Sequence, residues 1–204
     1  MNTRFKKFSL FLFITFLYSI VISAQPVFRW DVKTLTDSSG IDWLHRLELA
    51  KDNRLASIEG LTTKPIAFNG CTSHAKNTRR SDEKRVVKLL IRLIKVKSES
   101  NDEDYHIVIQ SLTDENNFMV AEIPDPETPE LQLSQYSDLR TQLQKLRDDI
   151  KNLLQENITR TFKDFPPNTI VTIYGVPFYD CKHPSTVSGA SVNFREIHPV
   201  LEIE

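Results

Sequence analysis

Seven polar side chains have the types and spacing to do chemistry: Asp104, His106, Glu122, Asp180, His183, Glu196 and His198. Residues two apart on a strand point to the same face, so Glu196 pairs with His198 and Asp104 with His106. Carboxylates and imidazoles that meet at one place can hold a divalent ion, or move protons at a phosphodiester. The catalytic candidates are His106, Asp180, His183, Glu196 and His198. No set of metal ligands is assigned by spacing; a divalent cation enters only with a metal-assisted hydrolase. A second group is basic. Lys76, Arg79, Arg80, Lys84, Arg85, Lys88 and Arg92 lead into an apolar stretch. Arg79, Arg80, Arg85, Lys88 and Arg92, with Tyr105 as a stacking ring, are the candidates for binding an anionic polymer. The acids Glu99, Asp102, Glu103 and Asp104 lie beside them, which argues against nucleic acid and for a solvated charge run. HExxH, GxSxG, P-loop, GxGxxG and CxxC patterns do not occur.

These residues must be placed by a chain of 204 residues, of which 40% are apolar and 26% charged, enough to bury one core. With 5 Gly and 10 Pro it is not collagenous, and its apolar content excludes wholesale disorder. Residues 1–24 read as a secretory signal peptide: basic Arg4, Lys6 and Lys7, then uncharged Phe8 to Ala24, closing on Ser23 and Ala24. As a membrane anchor that run is at the lower limit for about 30 Å of hydrocarbon. Cleavage removes three basic residues and no acid, so a balance of 26 basic and 27 acidic residues moves further to the acidic side. The expected product is exported, periplasmic or extracellular, with no transmembrane segment and no global field for polyanions. Cys71 and Cys181 both fall in the exported part. They are expected to form one disulfide worth about 3–5 kcal/mol, the alternative being two unrelated thiols.

Residues 25–83 are irregular, with Trp30, Trp43, Leu44 and Leu47 as anchors, a short helix over 42–50, and a role in wrapping the main domain. The main domain is expected over 84–204. Val86 to Lys97 reads as a long bent strand, with Val87, Leu89, Ile91 and Leu93 on one apolar parity. Strands follow at Tyr105 to Leu112 and Phe118 to Ile123, stopped by Pro124, Pro126 and Pro129. Leu139, Leu143, Leu146, Ile150 and Leu153 recur at helical spacing, giving one amphipathic helix from Ser137 as N-cap to Ile158. Packing beneath the chain's own sheet is expected of it, rather than a seam with a second chain. Two strands close the chain, Thr169 to Tyr179 with a bulge or bend at Gly175 and Pro177, and Phe194 to Ile203. Pro199 puts the last strand at an edge or interrupts it.

The fold class is therefore mainly β with one long helix, an α+β arrangement. The order of five antiparallel strands with a helix between the third and fourth resembles the OB-fold barrel over Val86 to Ile203. In that arrangement the first strand is expected to pair with the second, fourth and fifth. The alternative is an α+β sandwich of the same order. The stretches Asp104-Tyr-His-Ile-Val108, Met119-Val-Ala-Glu-Ile-Pro-Asp-Pro126, Gly175-Val-Pro-Phe-Tyr-Asp180 and Glu196-Ile-His-Pro-Val200 look like those of a family of small exported bacterial proteins. That resemblance supports the fold and brings no chemistry. The expected function is a binding or interaction module whose ligand is a protein, glycan or anionic polymer. The alternative is a hydrolase of the phosphodiesterase or nuclease type.

Overall fold

The structure is a computed structural model that describes residues 30–37, 42–63, 79–100, 103–180, 189–191 and 193–204. The leader, Lys76, His183 and the Cys71–Cys181 pairing lie outside the described residues. Before the sheet come three short helices, α1 (Trp30–Lys33), α2 (Trp43–Lys51) and α3 (Ile58–Thr62). Asp42 caps α2 by accepting from His45 N–H at 3.0 Å, and Ser57 caps α3 by accepting from Gly60 N–H. The strands are β1 (Val87–Ser98), β2 (Tyr105–Gln110), β3 (Phe118–Ile123), the two-residue β4 (Lys163–Asp164), β5 (Ile170–Tyr179) and β6 (Arg195–Ile203). Helix α4 (Ser137–Leu154) falls between β3 and β4. Among the described residues no helix is long and apolar enough to cross a membrane.

β1, β2, β3, β6 and β5 close into a barrel, and β4 is an extra strand on β1. β1 is shared between the two halves: residues 87–92 pair with β5, and residues 92–98 pair with β2, with a bulge between Leu93 and Lys95. Closure departs from the all-antiparallel expectation, because β3 and β6 run parallel, with Val120 opposite Glu196 and Ala121 opposite Ile197. The last strand therefore meets the third and not the first. With β1 already flanked by β2 and β5, the only barrel edges left are those of β3 and β6. Register shifts opposite Gly175 and Pro177 place the expected irregularity where β6 carries the extra residues, around the cis His198–Pro199 peptide. So Pro199 interrupts a strand that is paired on both sides. A Cβ on Gly175 would strike the Ile197 side chain and the Pro199 carbonyl, so β5 and β6 approach closely there because residue 175 has no side chain.

The inward parity of β1 is buried as its alternation predicts, and it joins Ile107, Ile109, Met119, Ala121, Ile173 and Ile197 in one core. Helix α4 presents Leu139, Leu143, Leu146, Ile150 and Leu154 to that core, lying against β6 and β3. Its Gln142 amide donates to the Leu201 carbonyl at 2.7 Å. The helix stops at Leu154, because Gln155 takes a left-handed conformation, φ 59°, and Tyr136 rather than Ser137 is the N-cap. Trp43, Leu47, Ala50, Ile58 and Leu61 join the same core, so the N-terminal helices pack on the barrel.

The outer face of one barrel wall is also covered. Val32, Val108, Val120 and Phe178 are buried yet stand outside the contiguous core. At Gly189, φ +86°, a Cβ would collide with Val108, so chain from the loop before β6 lies directly on β2. Residues 30–37 form a second cover, held by Arg79. Its guanidinium donates to the Val32 carbonyl at 2.7 Å, pairs with Asp37 at 2.7 Å and stacks on the Trp43 ring at 4.3 Å. Tyr136 adds a bond from its hydroxyl to the Thr36 carbonyl.

Candidate functional site

Strand parity puts Tyr105, Ile107, Ala121, Ile123 and Ile197 inside the barrel. The residues between them, His106, Glu122, Glu196 and His198, consequently face outward. β2 and β3 bring His106 directly opposite Glu122, and the imidazole Nδ1 lies 2.9 Å from Glu122 Oε1. His198 sits between two carboxylates: Nδ1 is 2.7 Å from Glu122 Oε2, and Nε2 is 3.3 Å from Asp104 Oδ2. Asp104, just before β2, is oriented by accepting the Asp125 N–H at 3.1 Å. The result is a chain of acid, imidazole, acid and imidazole, extended to Glu99 at 3.5 Å from His106 Nδ1. Phe178 packs edge-on against His198, with ring centres 5.6 Å apart.

The covering segment contributes a cation. Lys33, only 7% exposed, places its ammonium 3.5 Å from Glu122 Oε2 and 5.6 Å from the Phe178 ring centre. Burial alone would depress the lysine, but Glu122, Asp180, Glu196 and Asp104 outweigh it and hold its pKa well above the ordinary value. Burial pushes the Glu122 carboxyl up, and Lys33, His198 and His106 hold it well below the usual range instead. For His198, burial and the Lys33 charge both favour the neutral ring, yet Glu122 and Asp104 raise its pKa. Asp104 and His198 are fully buried. Taking such ions out of water costs several kcal/mol each before pairing compensates.

Of the catalytic candidates, His106, Glu196 and His198 share this outer face. Asp180 and Glu196 both act on Lys33 through their charges. His183 lies outside the described residues. Glu122 stands at the centre and Asp104 at one end, although neither was placed in the catalytic set. Lys33 was missed entirely, because a lone lysine in an irregular segment has no period to mark it. Asp104, Glu122 and His198 each offer a ligand atom, and these atoms lie within 4.8 Å of one another.

The binding candidates are dispersed. Arg79 is buried against residues 32 and 37 of the cover, and Tyr105 faces the core with the Arg147 guanidinium 3.7 Å over its ring. Arg80 stacks on Tyr179 at 4.7 Å, Lys88 donates to the Lys51 carbonyl at 2.9 Å, Arg92 donates to Gln110 at 2.8 Å, and Arg85 is exposed. Their charges are thus engaged within the fold or point to different places. No family model, curated protein or solved structure matches the chain.

Proposed function

We propose that this chain is an exported OB-like binding module whose ligand carries a positive charge, taken up on the outer face of β2, β3 and β6. Support for the OB-like assignment comes from the first strand serving both halves of a closed five-stranded barrel and from the helix between the third and fourth barrel strands. OB-folds bind on the face of strands 2 and 3 and the adjoining loops. On this chain that face carries His106 and Glu122, both buried, with the Lys33 ammonium against Glu122.

One observation carries the choice of ligand: the chain's own ammonium, Lys33, already sits on that face against Glu122. The carboxylate that accepts the Lys33 ammonium can accept another cation in its place. The test is a thermal-shift series on the mature chain with spermidine, divalent metal chlorides, heparin and single-stranded DNA. A cation at about 100 times its Kd adds about 2.7 kcal/mol, visible as a shift of several degrees. Stabilisation by polyanions, or by none of the cations, overturns the proposal. The hydrolase alternative is favoured only by the run of proton acceptors and donors from Asp104 through His198 and Glu122 to His106. Its test is turnover of a phosphodiester substrate that needs a divalent ion and is lost in His198→Ala.

A further inference from the structure

We propose that Glu122 and His198 ligate a divalent transition-metal ion, with Asp104 orienting His198 from its second ring nitrogen and Lys33 standing in the ion's place when the ion is absent. The proposal rests on the cationic-ligand reading and names the ligand's chemical class. Glu122 Oε2 and His198 Nδ1 are 2.7 Å apart, and the Lys33 ammonium is 3.5 Å from that same oxygen. Among the described residues neither ring nitrogen of His198 makes an aligned hydrogen bond, although carboxylate oxygens stand beside both. A divalent ion at Nδ1 would take the place of the proton that the flanking carboxylates hold there, so binding releases a proton. Ligation through Nδ1 leaves Nε2–H to donate to Asp104, the carboxylate–histidine–metal relay that fixes the tautomer and ring plane of a ligating histidine.

His106 Nδ1 lies 2.9 Å from the other oxygen of Glu122. An imidazole beside a carboxylate suits zinc, manganese, iron or cobalt, and suits less well magnesium or calcium, which prefer oxygen. Lys33 competes because a tethered ammonium and a dication cannot neutralise the same oxygen at once. Ion binding therefore expels the Lys33 side chain and loosens residues 30–37, which reach the barrel wall through it.

Titration of the metal-stripped mature chain with Co(II) and Zn(II) tests this, with Lys33→Gln, His198→Ala and His106→Ala alongside. Expected are visible Co(II) bands at one equivalent, affinity about tenfold higher in Lys33→Gln, and loss in His198→Ala. Hydrogen exchange of residues 30–37 in the unmodified chain should accelerate when Zn(II) is added, a readout that needs no variant to fold. Metal binding that is as tight in His198→Ala as in the parent, or exchange that slows on addition of zinc, overturns the proposal. Stabilisation by spermidine without any by Zn(II) or Co(II) also overturns it while the broader cationic-ligand function stands. Failure of every cation removes both.

Discussion

Glu122 is the side chain on which the buried charges depend. Its oxygens face His106, His198 and Lys33, so truncation leaves three nitrogen-bearing groups buried around a missing anion. Glu122→Ala should cost about 3–5 kcal/mol in urea unfolding, the usual penalty for breaking a buried pair from one side. A loss below about 1 kcal/mol would mean that water already reaches the cluster. A second network responds to pH. Tyr179 donates its hydroxyl to Asp82, which Arg195 also engages. Burial and Asp82 push the tyrosine up to about 12 from 10.0. A raised pKa means that its contribution is intact below 10.0 and is lost as pH climbs through about 12. Burial pushes Asp82 up, but Tyr179 and Arg195 hold it below its ordinary value, so its share is lost as pH falls through that lowered value. Melting temperature against pH should show both limbs, and Tyr179→Phe should flatten the alkaline one. Parity made the shared face of Glu196 and His198 legible in the sequence. The meeting of Glu122 with both histidines was not, because it needs β3 between β2 and β6.

The strands and α4 depend on close packing at identifiable points. Leu143 is fully buried on α4, and Leu143→Ala should cost about 2–5 kcal/mol by chemical denaturation, the range for a core cavity. Gly175→Ala should cost about 1–3 kcal/mol, since the added methyl meets Ile197 and a backbone carbonyl rather than open space. An unchanged midpoint in Gly175→Ala would show that β5 and β6 can part at no cost. Most of these segments were readable: β3 has the predicted bounds, and β1, β2, β5 and β6 differ by one or two residues at their ends. Alternating burial on β1 and the leucine stripe on α4 write a period into the chain. What has no period was not readable. Parallel closure by β3 and β6 is a pairing between distant segments, and seven successive buried residues on β6 hide which side faces inward.

The cover over the barrel wall is fixed from outside the barrel as well as through Lys33. Arg79 holds both the Val32 carbonyl and the Asp37 carboxylate, so Arg79→Ala should release residues 30–37 while leaving the barrel strands closed. Hydrogen exchange should accelerate over 30–37 and stay slow in β1 and β5; equal acceleration everywhere would mean that the cover and barrel unfold as one unit. The sequence pointed to a wrapping segment over 25–83 only through its lack of repeat. Where it wraps, and that it brings a charge, emerge only once the outward faces of β2, β3 and β6 are adjacent.

Because β1, β2 and β3 precede α4 while β5 and β6 follow it, the barrel is also divisible. A cut in the segment between Ile123 and Ser137 yields a leading fragment with Lys33, Asp104, His106 and Glu122, and a trailing one with Glu196 and His198. Their mating edges are the β1–β5, β1–β4 and β3–β6 seams. Reassociation of two such halves would rebuild the imidazole–carboxylate contact only in the joined state, making this scaffold a natural template for a split reporter.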